Sequence, residues 1–176
     1  MAAGLPANKK FTVCFTRPKG PWAIGARLIM KVLGSTWSHA AIELVDPATK
    51  LPLIFQATGA AVNFYYLDKF LEHNEFVHKF EVQVTPLEYI DLWGYSLQRL
   101  GSDYSYKELL NIFTQRVFRI KSWFKDDEKS YICSELVARV LRKLGQSMPE
   151  DLDSMDPKTL FDILNSANSG TIRRLL

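Results

Sequence analysis

One of the two cysteines in this 176-residue chain, Cys133, falls in the run SYICSELVARVLRKLG at residues 130–145. Leu136, Val137, Val140, Leu141 and Leu144 recur at helical spacing, so the run predicts an amphipathic helix. Gly145 stops it as the residue past the C-cap. Ser130 is a favourable N-cap, which puts Cys133 at the third helical position. A thiolate there faces unpaired backbone N–H groups and the positive end of the helix dipole, and such surroundings lower a thiol pKa. Cys133 also precedes Leu136 and Val137 by three and four residues, so it shares the apolar stripe and faces the core. Two readings follow from these residues: a small inert core cysteine, or a nucleophile that needs a base on the sheet its helix covers.

The chain has three histidines. His73 lies in the polar FLEHNEF and reads as a surface residue. His78 sits on the apolar face of a strand, where a core or edge histidine is the ordinary reading. His39 follows Ser35-Thr36-Trp37-Ser38 and opens an apolar strand, so it stands at a sheet edge or end, where loops form clefts. It is the candidate general base. SHAAIELV (38–45) and LPLIFQA (51–57) flank the turn-type DPATK and predict a β-hairpin. With the turn centred on Ala48, Gln56 stands opposite His39 or one residue away. Its amide oxygen would accept the imidazole Nδ1–H and leave Nε2 for the thiol. Glu43, on the same face but two pairs further along, is the fallback orienter. Gln56 reads equally as strand filler.

These residues need elements to position them. KFTVCFTR (10–17) alternates and is rich in strand formers. PWAIGARLIMKVLG (21–34) predicts an amphipathic helix ending at Gly34. It is interrupted by Arg27 and Lys31, so packing on the core is expected over a membrane surface. AAVNFYYL (60–67) and EFVHKFEVQV (75–84) predict strands, the latter with Phe76, His78, Phe80, Val82 and Val84 on one face. Thr85-Pro86-Leu87-Glu88 is a capping box with Pro at the first helical position, opening a helix to about Leu100. A further helix is expected over 106–120, a polar loop at 125–130, and a short last helix from Asp156-Pro157. The sum is an α+β fold: an antiparallel sheet of about five strands packed against helices, in one domain over 1–176.

Composition excludes several classes. Apolar residues are 47% and charged residues 23%, as in ordinary globular chains. The net charge of +3 comes from scattered Lys and Arg. The clusters Arg139-Arg142-Lys143 and Arg116-Arg119-Lys121 read as solvated helix faces, and no nucleic-acid motif accompanies them. Two distant cysteines make neither a disulfide framework nor a metal-ligand spacing, so reduced thiols, no metal and no cofactor are expected. No run approaches about 18 uninterrupted apolar residues, so no transmembrane segment is expected. MAAGLPANKKFTVCF lacks the apolar core of a signal peptide. A cytoplasmic protein is the default expectation, with virion association as the alternative.

Taken together, WSHAAIEL, IFQATGAAV, GSDYSYKELL and YICSELVARVLRKLG resemble the permuted branch of the NlpC-type papain-like cysteine hydrolases, the YiiX-like group. There a histidine on an early strand follows Ser, a polar residue lies on the next strand and a CSEL helix comes last, reversing papain's cysteine-first order. The resemblance spans about residues 22–145 and is most specific at Tyr131 to Val137 combined with Ser38-His39. It implies a circularly permuted papain-like fold with Cys133 as nucleophile, His39 as general base and Gln56 in the third polar position, where relatives often carry an acid. Tyr131 and Tyr104 would line the pocket by this analogy, although each reads equally as a packing aromatic. The backbone N–H of Cys133 or Ser134 would be an oxyanion donor.

The activity so implied is a thiol hydrolase, a peptidase or amidase acting on an amide or peptide bond through a thioester, such as in a cell-wall peptide. A lipid acyl hydrolase or acyltransferase similar to lecithin retinol acyltransferase is the alternative, with FYYLDKF (64–70) as groove or as core. A catalytically silent structural or virion-associated module is the other, because Gln56 brings no charge to an imidazolium. A basic nucleic-acid-binding protein is a weaker third option.

Overall fold

Phe11, Val13 and Phe15 alternate with Thr12, Cys14 and Thr16 along one strand, and this alternation divides the molecule into two faces. The structure is a computed structural model that describes residues 8–20, 23–105, 130–153, 155–167 and 170–176. The helix expected over 106–120, the cluster Arg116-Arg119-Lys121 and most of the polar loop at 125–130 lie outside the described residues. The strands are β1 (Lys9–Pro18), β2 (His39–Val45), β3 (Pro52–Ala57), β4 (Val62–Tyr66), β5 (Asn74–Val84), β6 (Asp103–Tyr104), β7 (Ser130–Tyr131) and β8 (Ile172–Arg174). The helices are α1 (Ile24–Leu33), α2 (Leu67–His73), α3 (Pro86–Arg99), α4 (Cys133–Lys143) and α5 (Pro157–Ser166).

Among the described residues, six strands form one antiparallel sheet in the order β4-β3-β2-β1-β5-β8. The sixth strand, beyond the five expected, is the short β8 on the edge of β5. One face carries Phe11, Val13, Phe15, Ala40, Ile42, Leu44, Phe55, Phe80 and Val82, all buried in the same cluster as Leu136, Val137, Val140 and Leu141 of α4 and Leu160, Phe161 and Leu164 of α5. Phe15 meets Trp37, Phe80 and Phe161 edge-on at centroid distances of 6.1, 5.9 and 5.4 Å. The opposite face buries Ala41 and Ile54 under Phe70 of α2. It also carries Glu43 and Lys79, which pair at 2.6 Å.

The capping box at α3 forms in full: Thr85 Oγ1 accepts from the Glu88 amide at 3.2 Å, and Glu88 Oε2 accepts from the Thr85 amide at 2.7 Å. Thr85→Ala removes the first of these bonds and should destabilise the protein by about 1 kcal/mol. A thermal melt should register this as a fall of roughly 2–4 °C for a chain of this length.

Three local expectations are corrected. The stretch 64–70 is part strand and part helix, because Tyr66 ends β4 and serves as the N-cap of α2; His73 closes that helix. Helix α1 ends in a left-handed Gly34 at φ 61°. It buries Leu33 against Ile132, with Ile29 packed on them, and leaves Ile24 and Leu28 exposed, so only part of its apolar stripe packs. Ser130 is not the cap of α4. Ser130 and Tyr131 are extended, paired in parallel with Asp103 and Tyr104, and the Ser105 amide donates to the Tyr131 carbonyl. Ile132 becomes the N-cap and Cys133 the first helical residue. Gly145 still terminates the helix, at φ 74°.

Candidate active site

Two strands part where the helix begins. The β2–β3 ladder runs from Val45↔Pro52 to Ile42↔Phe55 and goes no further. Past it, His39 is held from the other side by Thr16 of β1, and Gln56 by Asn63 of β4. His39, Ala41 and Glu43 alternate with the residues buried under α4, so His39 lies on the face of Phe70, with ring centroids 6.4 Å apart. The first turn of α4 reaches this open end of the sheet. Cys133, 5% exposed, sets its sulfur against His39 and against the backbone amides of Ala40 and Ser134.

The imidazole stands between two groups. Its Nε2 lies 2.9 Å from Gln56 Oε1. It also faces Cys133, whose charge and side chain raise the imidazole pKa. This ring orientation reverses the expected one, in which Nδ1 would meet Gln56. The register explains the reversal. Continuing the ladder past Ile42↔Phe55 sets Gln56 opposite Ala41, diagonal to His39 on the same face, so its amide meets the far nitrogen of the ring. The sulfur lies against the Ala40 amide, beside the His39 main chain, and Nδ1 is the ring nitrogen that Gln56 leaves for it.

The electrostatics of the pair run against burial. Burial disfavours the thiolate of Cys133, yet the facing His39 charge, its hydrogen bond and the amides of Ala40 and Ser134 outweigh that and hold the thiol below its usual value of 9.0. Burial likewise disfavours an imidazolium. The Cys133 charge, its hydrogen bond and the Gln56 amide more than offset this, and raise His39 above 6.5. Both shifts favour the thiolate–imidazolium pair over the neutral thiol and imidazole. Cys14 is the opposite case. It is fully buried, and burial, with the Glu43 carboxylate beside it, pushes its thiol well up.

A cavity of about 440 Å³ opens onto the pair, lined by His39, Gln56, Cys133 and Tyr104, with Ile29 and Phe70 among its apolar residues and Asn63, Lys69 and Asn74 among its polar ones. Glu43 does not belong to it. It sits further along β2, its carboxylate 2.6 Å from Lys79 and 3.7 Å from Cys14. Tyr131 does not reach the cavity either: it is 2% exposed in the core, its ring 5.7 Å from both the Arg99 and Arg139 guanidiniums. The extended β7 that displaced Ser130 as cap also turns Tyr131 inward. The Ser134 hydroxyl donates to the Met155 carbonyl beneath the helix, so only its amide faces the sulfur. His78 is half-buried between Trp37 and Phe161, at 4.8 and 4.7 Å, and burial lowers its pKa. His73, exposed, touches the cavity rim.

Asn63, absent from the sequence-based candidates, bonds directly to Gln56. Its signal was available in the second hairpin, where the turn at 58–61 pairs the two residues. Among the described residues no group of three or more His, Cys, Asp or Glu converges as metal ligands would. No helix among them is long and apolar enough to cross a membrane.

No family model matches the chain, and no curated protein matches it. Among solved structures it is similar to the metalloprotein YiiX from Escherichia coli O157:H7, at 14% identity and a TM-score of 0.61, over 97% of both chains. At that identity the likeness establishes the fold: α+β and YiiX-like.

Proposed function

We propose that the protein is a cysteine hydrolase cleaving an amide or peptide bond through a thioester, with a permuted papain-like order of His39 on a strand before Cys133 on a helix. The observation that carries this reading is His39 standing between Cys133 and Gln56 at a helix start that opens onto a cavity. The Cys133 thiolate attacks the carbonyl carbon, forming a C–S bond while the carbonyl electron pair moves to oxygen. The amide of Cys133, and that of Ser134 as the sulfur gives up its charge, donate to that oxyanion. Collapse breaks the C–N bond, and the proton on His39 Nδ1 goes to the leaving nitrogen. Water then gives a proton to His39 and its oxygen to the acyl carbon; the C–S bond breaks and the thiolate returns. Gln56 holds the ring throughout by accepting from Nε2–H. Asn63, Lys69 and Asn74 in the cavity lining offer hydrogen-bonding groups to an amide substrate.

The similar YiiX protein is described as a metalloprotein. The residues here do not fit such a role. His39 and Cys133 are two donors whose other neighbours are an amide side chain and backbone N–H groups, and no third His, Cys, Asp or Glu joins them among the described residues. No step above involves a metal.

The pH dependence tests the pair. Iodoacetamide alkylation of Cys133, followed by mass mapping so that Cys14 is scored separately, should stay fast well below the usual thiol range. Below the lowered thiol pKa the sulfur is protonated and unreactive. Above the raised imidazole pKa the thiolate persists, but His39 has no proton for a leaving group, so turnover falls on that limb while alkylation does not. His39→Ala removes the cation, moves the alkylation profile alkaline and should slow labelling at neutral pH by at least about tenfold. Identical slow labelling of both proteins would mean an inert core thiol.

A further inference from the structure

Gln56 can stabilise an imidazolium only through its oxygen. A carboxylate offers an acceptor whichever way it turns, whereas an amide rotated by half a turn offers two N–H groups to a ring that must itself donate. Something has to fix the amide, and its partners show what does. Gln56 Nε2 donates to Asn63 Oδ1 at 3.3 Å. Asn63 Nδ2 donates to the Ala61 carbonyl at 3.2 Å and to Thr58 Oγ1 at 3.3 Å. The Thr58 hydroxyl in turn donates to the same Ala61 carbonyl at 3.2 Å, so its lone pair is what meets Asn63. A main-chain carbonyl can only accept. Its polarity therefore propagates outward: Asn63 must present its oxygen to Gln56, Gln56 must present Nε2 to Asn63, and Gln56 Oε1 is left for His39 Nε2–H, 2.9 Å away. That consigns Nδ1 to the sulfur.

We infer that Asn63 is a positioning residue, which transmits the polarity of the Ala61 carbonyl through Gln56 and so fixes which imidazole nitrogen faces Cys133. This rests on the hydrolase reading of the pair and deepens it, by explaining how an uncharged residue serves in the third position. Backbone geometry supports the role. Gln56 and Asn63 are direct partners across β3 and β4, and the turn at 58–61 closes with the Thr58 amide donating to Ala61 O at 3.1 Å. The anchoring carbonyl is thus itself held by main-chain bonding.

The test is Asn63→Ala in two backgrounds, with iodoacetamide as the probe of Cys133 and the His39 imidazole followed by nitrogen-15 NMR. In the wild-type background the freed Gln56 amide rotates. The imidazolium then loses its acceptor, the His39 pKa falls, and alkylation at neutral pH slows by about tenfold, the scale of a lost hydrogen bond to a charged group. In a Gln56→Glu background the result inverts. The carboxylate accepts from His39 in either rotation, but it faces the fixed Asn63 Oδ1, so Asn63→Ala relieves that repulsion and labelling speeds up. A residue that merely ties the turn together would impose the same penalty in both backgrounds, and that outcome overturns the inference. So does a His39 pKa unmoved by Asn63→Ala in a protein that melts normally. Failure of the hydrolase reading looks different: wild-type labelling would show no dependence on His39 at all.

Discussion

On the hydrolase reading, alanine at position 133 should abolish turnover, a loss of at least about 10⁴-fold, because no other nucleophile suited to an acyl intermediate faces His39 among the described residues. Cys14 cannot substitute. It is the buried cross-strand partner of Ala41, with burial and the Glu43 carboxylate pushing its thiol up. Serine at 133 should rescue little. The geometry lowers a thiol that starts at 9.0, whereas a hydroxyl starts several units higher and stays protonated beside the same amides. The alanine variant should still fold, since the sulfur sits at the head of α4 and outside the cluster formed by Leu136, Val137, Val140 and Leu141. It should also lower the His39 pKa, because the Cys133 charge that offsets burial of the imidazole is gone. Intact-mass trapping of an acyl-enzyme with an activated ester or amide checks the first expectation and NMR titration of His39 the second. Turnover by the alanine variant within tenfold of wild type would place the nucleophile elsewhere.

Much of this site could be read from residue types and spacing, and the limits of that reading are physical. The stripe from Leu136 to Leu144 has a helical period that survives any tertiary context, and the capping box at Thr85 is a local bond pattern. Both appear where expected. A single hairpin predicts the proximity of His39 and Gln56, but its register differs from the expected one: Gln56 aligns with Ala41, two residues from His39. The ring orientation did not follow. It depends on the ladder stopping at Ile42↔Phe55 and on a helix from the other end of the chain entering the gap. The start of α4 lies two residues later than expected for a related reason. Ser130 is a good cap by type, but a long-range parallel pairing with Asp103 claims it as strand. Tyr131 went wrong with it. Asn63 was overlooked because an Asn in a strand next to a turn is ordinary by composition. Its interest lies in what its bonds make Gln56 do.

The same helix that presents Cys133 contains a buried carboxylate whose cation should matter strongly to stability. Glu135, in the first turn of α4, has a side chain with 0% exposure, and Arg139 one turn on donates to it through Nε. Arg139 also reaches Asp153 at 3.2 Å and keeps its side chain 34% exposed. The pair is lopsided: one partner is wholly removed from water and the other is not. The two truncations therefore differ. Removing Arg139 leaves a buried carboxylate stripped of that cation, whereas neutralising Glu135 leaves an arginine that still has solvent and Asp153. Arg139→Ala should cost about 3–5 kcal/mol, a fall in melting temperature of roughly 6–20 °C for a chain of this length. Glu135→Gln added to Arg139→Ala should recover most of that loss, because the amide at 135 carries no charge to desolvate. A loss below about 1 kcal/mol, or no recovery in the double variant, would show that the cation is not what compensates the buried carboxylate. The distinction from the active site is kinetic. In the fraction of Arg139→Ala that remains folded, the pH profile of Cys133 alkylation should keep its wild-type shape, since the amides of Ala40 and Ser134 and the His39 ring are untouched. Global unfolding would then lower the amount of active protein without altering the thiolate. An alkaline shift of that profile would mean instead that Arg139 also sets the position of the first helical turn.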